Sequence, residues 1–332
     1  MADNNFNSIL VSVIMCVYNT PHDFLLESVN SVLSQTYDNF EFIIVDDYSS
    51  TDLYIDNVFK DNRIKIIRND KNHGPSYSRN VAIDASRGKY IAILDSDDIS
   101  LPTRLEKQVR FMEDNPDVAV CGTWFKFIGD KTHEVKRVID DNEYYRCCLL
   151  FGNSPTMLNP SVMIRKEMLD KQRIRFDEEL RYGEDYKLWY QLSKIGRVTN
   201  LKEILLYYRV HEKQATRSWQ YTSKSNIKEN RVEREILNEL EVDFSSKEYD
   251  IFLTSFKSNY FKPIHYIQLL ERLLNANKKS KIYNQEKLVI RVHEQWISVI
   301  QNIKNPFKFF KLFINQKGHR KEILKIKLKQ FF

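Results

Sequence analysis

Asp95, Asp97 and Asp98 place three carboxylates in four positions, directly after the apolar run Tyr90-Ile91-Ala92-Ile93-Leu94. A short apolar run that stops at acids is how a buried parallel strand looks where its carboxyl end reaches a ligand crevice. Like charges a few ångströms apart raise each other's pKa, and a divalent ion held between them removes that penalty while offering a positive site to a phosphate. The chemistry these residues suggest is a metal-assisted diphosphate site. Asp95 and Asp97, two apart in an extended segment, are expected to point the same way. The competing structural reading is a surface turn and the start of the next helix, where Asp is common for its own reasons.

Strands are expected at 11–17, 40–45, 63–68 and 90–95. Between them fall an amphipathic stripe carrying Phe24, Leu25, Val29, Val32 and Leu33, a short helix to residue 59 capped by Ser49, Ser50 or Thr51, and a helix at 75–87 with Gly88 as its stop. Strand and helix alternating at this spacing means crossover units on a parallel sheet, so Asp47 and Asp95 leave strands on the same edge. Pro102 opens a further helix to about residue 115. Strands at 118–121 and 123–128 follow, the second expected antiparallel because the link is too short for a crossover. A helical segment at 143–151, a loop-rich patch with Gly152-Asn153-Ser154-Pro155 and Asn159-Pro160, and a strand at 161–164 come next. Gly183-Glu184-Asp185 leads into a helix at 186–195, and a last strand at 204–210 delivers Tyr207, Tyr208, Arg209 and then His211.

With 332 residues, 42% of them hydrophobic, the chain can bury a large core and suggests one large domain with an appendage or two domains. Composition turns polar after residue 212, and beyond about 220 only helical periods recur, so the organisation expected is an α/β domain over 1–220 and a helical region over 221–332. The cysteines Cys16, Cys121, Cys147 and Cys148 lack CxxC spacing and read as reduced thiols of a cytosolic protein, with no zinc or disulfide framework. No apolar run reaches the roughly 18 residues needed to span a membrane. There is no GxxxxGK[ST] and no GxGxxG after the first strand, which argues against a P-loop and a dinucleotide fold. With only eight glycines, diphosphate charge must be met by side chains and a hard cation such as Mg²⁺ or Mn²⁺.

Val13-Ile14-Met15-Cys16-Val17-Tyr18-Asn19, Ile44-Val45-Asp46-Asp47-Tyr48-Ser49, Gly74-Pro75-Ser76-Tyr77-Ser78-Arg79-Asn80, Leu94-Asp95-Ser96-Asp97-Asp98 and Gly183-Glu184-Asp185-Tyr186-Lys187-Leu188-Trp189 occur in an order and spacing that resemble the family 2 glycosyltransferases of GT-A fold. The resemblance covers roughly residues 9 to 212. It implies a GT-A nucleotide-diphospho-sugar transferase fold, mainly parallel sheet flanked by helices, and inverting transfer of a sugar from a nucleoside diphosphate sugar, UDP favoured, to an acceptor hydroxyl. It implies Mn²⁺ or Mg²⁺ as cofactor, held by Asp97 directly, with Asp95 near the ribose and metal waters in the Asp95-Ser96-Asp97 DXD motif. Val17, Tyr18, Asn19, Asp46 and Ser96 would line the nucleotide-sugar pocket, Asp47 would accept a hydrogen bond from the base, and Arg79 would stand near base or diphosphate. Asp185 would be the general base, with Glu184 beside it near the acceptor. His211, after a Tyr-Arg-x-His ending, would reach the metal or diphosphate, or be a hydrogen-bonded structural histidine. Asn159-Pro160 stands where relatives often carry His-Pro, which leaves that position without an assigned role. Taken alone, Glu184-Asp185 also suits a helix start as a dipole pair.

Residues 303–332 hold nine Lys or Arg against one acid, a formal +8 in a chain of net +6, leaving −2 on the first 302. Phe307, Phe310, Phe313 and Ile314 recur between lysines at helical spacing, the pattern of an interfacial anchor attracted to anionic lipid. The other reading packs this apolar face on the helical region and leaves the lysines solvated. An anchor would fit peripheral contact with the inner face of the cell membrane and a polyprenyl-diphosphate-linked saccharide or glycan acceptor in surface-polysaccharide synthesis. Nucleic acid is not expected as a partner, and the helical region suits homo-oligomer formation. A different class of function weighed beside the enzyme is a non-catalytic nucleotide-sugar-binding module with a helical interaction domain.

Overall fold

A computed structural model describes residues 8–50, 60–137, 139–151, 157–180, 183–212, 231–254 and 263–302. The short helix expected before residue 59, the 152–155 patch and the basic segment 303–332 lie outside them. The chain divides into two compact units: Met1–Asn142 with Pro155–Lys224, and Glu143–Ser154 with Ser225–Phe332.

The first unit is built on β1 (Val11–Val17), β2 (Phe40–Asp46), β3 (Ile64–Arg68), β4 (Tyr90–Ile93), β5 (Ile99–Ser100), β6 (Val118–Gly129), β7 (Glu134–Val135), β8 (Met163–Arg165) and β9 (Arg197–Val210). They form one sheet in the order β3-β2-β1-β4-β8-β6-β9-β5, with β7 on β6. The half β3-β2-β1-β4 is parallel, and beyond it β8 runs antiparallel to β4 and β6 while β6 and β9 run parallel. β1, β2 and β4 read as continuous apolar runs because helices cover both faces of a parallel sheet. Their buried residues are packed by α1 (His22–Leu33) and α3 (Arg104–Asp114) through Leu25, Val29, Val32, Leu105, Val109 and Met112. Each such side chain contributes about 1.5–3 kcal/mol on burial. α2 (Pro75–Ala85) crosses between β3 and β4, α5 (Lys166–Gln172) follows β8, and α6 (Glu184–Ser193) precedes β9.

In register, Val17 pairs with Asp46 and Ile14 with Ile93, so β1, β2 and β4 all end at one edge. That edge carries the candidate site. Three expectations are corrected. Residues 118–129 form one strand, with no antiparallel turn near 122: register irregularities at Val118/Val120 and around Thr123 to Phe125 let it bend, and Gly122 has no room for a Cβ, which would fall 2.2 Å from Asn200 Oδ1. The last strand begins at Arg197 and runs 14 residues. α2 ends at Ala85, where Ser86 Oγ donates to Ile83 O at 2.5 Å; Gly88 is needed instead for close approach to β1, since a Cβ there would meet Ser12 N at 2.5 Å.

The second unit contains α7 (Arg231–Glu239), α8 (Ser246–Thr254), α9 (Pro263–Ser280) and α10 (Gln285–Asn302). Most of α4 (Asn142–Leu149) also belongs to it. Ile236, Leu237, Leu240, Ile267, Leu270, Leu273, Leu288, Val292 and Trp296 are buried, as their helical spacing requires. Phe151 stacks on Phe252 at 5.5 Å and Tyr144 Oη donates to Glu294 at 2.5 Å, which is why the 143–151 segment groups with these helices.

Candidate active site

The loops at the carboxyl ends of β1 and β2 are tied to each other. Asn19, in left-handed conformation at φ 51°, donates its backbone N–H to Ser49 Oγ at 3.0 Å, and its side-chain oxygen accepts from Ser50 N and Ser50 Oγ, both at 2.9 Å. Asn tolerates that conformation better than most residues. Tyr18 is 53% exposed at the rim, whereas the Val17 side chain is in the core and its carbonyl accepts from Asp47 N. Asp46 Oδ1 accepts from Ser49 N at 2.9 Å; its buried Oδ2 has no hydrogen bond and faces Arg68 Nε at 3.4 Å.

Asp47 is placed differently from expectation. Its Oδ1 accepts from Asn69 Nδ2 at 2.7 Å and His73 N at 3.0 Å, and its Oδ2 from Gly74 N at 2.7 Å. At 2% exposure this carboxylate clamps the loop before α2 and has little left to offer a nucleobase. The signal in the sequence was Gly74, whose φ of 92° marks a turn that needs its amide held.

Arg79, on α2, joins two distant acids. It donates through Nη1 to Glu184 Oε1 at 2.9 Å and through Nη2 to Asp95 Oδ1 at 3.4 Å, with its guanidinium 5.3 Å from the Phe176 ring centroid. Burial pushes its pKa down, but the Asp95 and Glu184 carboxylates outweigh that and hold it above its ordinary value. Neighbouring Asn80 holds Phe176 from both sides, accepting from its N–H and donating to its carbonyl at 2.9 Å each. A role for Asn80 was not legible, because only the fold shows it facing the 176–178 loop.

Glu184 and Asp185 are the first two residues of α6, after Gly183 at φ 79°. A helix start favours carboxylates. Burial, reinforced by the Glu184 charge, nonetheless raises the Asp185 pKa to about 6, against the pull of Arg79. Asp95 is likewise raised, by burial first and Asp97 next, with Arg79 opposing. Cys16, whose thiol also feels Arg79 and Asp95, is pushed up to about 12 by burial and stays protonated, so it is no thiolate nucleophile.

Asp95 and Asp97 do not project side by side. Asp98 N donates to Asp95 O at 3.2 Å, so the segment turns after β4 and strand alternation does not apply. Asp95 faces Arg79, whereas Asp97 Oδ2 lies 2.8 Å from His211 Nε2. Ser96 is buried, its hydroxyl 2.6 Å from Thr20 Oγ1. Arg209 braces this turn, donating through Nε to Asp97 O and through its backbone N–H to Asp98 Oδ1, both at 2.8 Å, and its guanidinium lies over Phe24 at 4.4 Å. Asp98 is fully buried, and burial together with Asp97 and Asp95 raises its pKa well above the usual range. Among the described residues no three His, Cys, Asp or Glu groups are gathered that could hold a metal ion by themselves. A hard cation commonly takes one or two protein ligands and fills its remaining positions with phosphate oxygens and water. Asp97 with His211 suits that pattern, with Asp95 next along the turn.

Residues 12–173 match the family Glycosyl transferase family 2. The chain is 37% identical over 207 residues to an uncharacterized glycosyltransferase of Methanocaldococcus jannaschii, covering 60% of this chain and 71% of that one. It is 30% identical over 342 residues to an uncharacterized glycosyltransferase of Haemophilus influenzae, covering 96% and 98%. It is 34% identical over 213 residues to the UDP-Glc:alpha-D-GlcNAc-diphosphoundecaprenol beta-1,3-glucosyltransferase WfaP of Escherichia coli, covering 61% and 78%. Residues 1–349 of S. aureus TarS, crystallised with UDP-GlcNAc, superpose with a TM-score of 0.59 at 19% identity, covering 88% of this chain and 90% of that one. That last likeness is one of fold.

Proposed function

Because the chain belongs to glycosyl transferase family 2 and is a glycosyltransferase of GT-A fold, we propose that it is a metal-dependent inverting enzyme. In this reading it moves a sugar from a UDP-sugar to a hydroxyl of a glycan or polyprenyl-diphosphate-linked saccharide during surface-polysaccharide synthesis. The observation that carries the reading is the Asp185 carboxyl, its pKa raised to about 6, standing beside Glu184, which Arg79 bridges to Asp95. A base near neutrality is what direct displacement at an anomeric carbon asks for: the acceptor oxygen loses its proton to Asp185 as it bonds to the anomeric carbon, and the bond to the diphosphate breaks.

Glu184, fixed by Arg79, orients the acceptor side. Tyr18, Asn19 and Ser96 lie on the loops after β1 and β4 and Asp46 ends β2, at the edge where the nucleotide would bind, and Asp95 meets its ribose. Asp97 and His211 would hold the divalent ion, which when bound offsets charge on the leaving diphosphate. Among the described residues no helix is long and apolar enough to cross a membrane. Contact with the inner membrane face is assigned to residues 303–332, by their charge and aromatic spacing.

The test is thermal stabilisation by a panel of nucleoside diphosphate sugars, each with and without Mn²⁺, followed by product formation with a lipid-linked saccharide. Bound donor raises stability by RT ln(1 + [L]/Kd), so the right donor stands out. Binding without any transferred sugar across the panel would leave only a nucleotide-sugar-binding module.

A further inference from the structure

Among the described Phe, Tyr and Trp residues only two are exposed, Tyr18 and Tyr48, each at 53%, and both stand on the site edge. Large aromatic rings are usually buried, because each removes much apolar area from water. Their positions are linked: Tyr18 follows Val17 and Tyr48 comes two residues after Asp46, and Val17 and Asp46 are register partners on neighbouring parallel strands. The two tyrosines therefore stand on adjacent loops, each directly before one end of the Asn19 to Ser49 hydrogen bond.

Tyr48 is also held in an unfavourable backbone conformation. Its φ is 67°, a left-handed geometry that a bulky L residue adopts at a cost and glycine adopts freely. Bonds on either side enforce it: Asp47 N to Val17 O at 2.8 Å, Ser49 N to Asp46 Oδ1 at 2.9 Å, and Arg68 Nη2 to Ser49 O at 3.0 Å. Nothing in the packing of the core uses the ring. Strain that persists at a crevice beside an otherwise water-exposed aromatic surface is the signature of a side chain kept for a ligand.

We propose that Tyr48 is a second aromatic wall of the donor site, stacking on the nucleobase beside Tyr18 and contributing to nucleotide affinity. The inference rests on the nucleotide-sugar reading above and adds a residue to it. A nucleobase fits because it has a flat π face for a ring and polar edges for the loop amides.

Titration calorimetry with UDP, GDP, ADP, CDP and dTDP in the presence of Mn²⁺ tests it on the full chain, using the wild type and Tyr48→Gly, Tyr48→Phe and Tyr48→Leu. Stacking predicts that Tyr48→Phe binds the preferred nucleotide within about twofold of wild type, while Tyr48→Gly and Tyr48→Leu bind roughly tenfold more weakly. Tyr48→Gly should melt at the wild-type temperature or above it, because glycine relieves the backbone, so its loss of affinity is not a loss of fold. Wild-type affinity in Tyr48→Leu or Tyr48→Gly would overturn the proposal. A wild-type chain that binds none of the five would overturn the reading beneath it and this proposal together.

Discussion

Arg79 and Glu184 lie 105 residues apart in sequence and 2.9 Å apart in the fold. The other arm of the same guanidinium reaches Asp95, so one cation spans the acid at the end of β4 and the acid at the start of α6. These side chains are largely buried, and removing one member of a buried ion pair strands the other charge.

Arg79→Ala should therefore lower stability by about 3 kcal/mol or more, measured by denaturant unfolding. Arg79→Lys should recover only part of it, because one ammonium cannot reproduce a fork that serves two carboxylates. In any Arg79→Ala enzyme that folds, the acid limb of the rate profile should move to higher pH, since Arg79 holds the Asp185 pKa down.

Asp185→Asn keeps the shape of the side chain and removes its basicity. Transfer should fall by about 10² to 10⁴, while donor affinity by calorimetry stays near that of the wild type. Transfer at the wild-type rate would remove Asp185 from the role of base.

The pH dependence has a definite sign. Asp185 must be ionised to accept a proton, so kcat/KM should rise about tenfold per pH unit below about 6 and level off above it. Stability runs the other way: a carboxyl raised from 3.8 to about 6 favours the folded state in acid, and that contribution fades as pH climbs from about 4 through about 6.

Asp97→Ala and His211→Ala should each weaken donor binding in the presence of Mn²⁺ and leave any metal-independent binding unchanged. Paired titrations with Mn²⁺ and with EDTA measure this. Equal loss under both conditions would instead make the 2.8 Å contact between the two side chains a purely structural one.

Gly88→Ala should destabilise by about 1–3 kcal/mol with little change in KM, because the added Cβ would press on backbone of β1, 2.5 Å from Ser12 N, at a position remote from the site. Thermal melting and steady-state kinetics together check it.

The sequence disclosed the parallel half of the sheet, because Val, Ile and Phe runs ending in Asp46-Asp47 and Asp95 have few other physical solutions. It also disclosed Glu184-Asp185 at a helix start. What it could not disclose was the partner of each polar group. Strand alternation put Asp95 and Asp97 on one side, but a turn intervenes and sends one to Arg79 and the other to His211. Asp47 looked free for a base, yet three donors from residues 69–74 converge on it, and a loop amide leaves no trace in side-chain identity. Segment 143–151 read as one more helix of the first region, and only its aromatic contacts reveal that it belongs with the others.

Asp97 waits 114 positions for His211, much as Arg79 waits for Glu184. A nascent chain that has emerged only as far as Asp98 already holds Arg79, Asp95 and Asp97 but neither Glu184 nor His211. Long-separation contacts form late, since loop closure must be met before they contribute. The site should therefore close only after β9 has emerged, when Arg79 and Asp97 gain their distant partners along with the far half of the sheet.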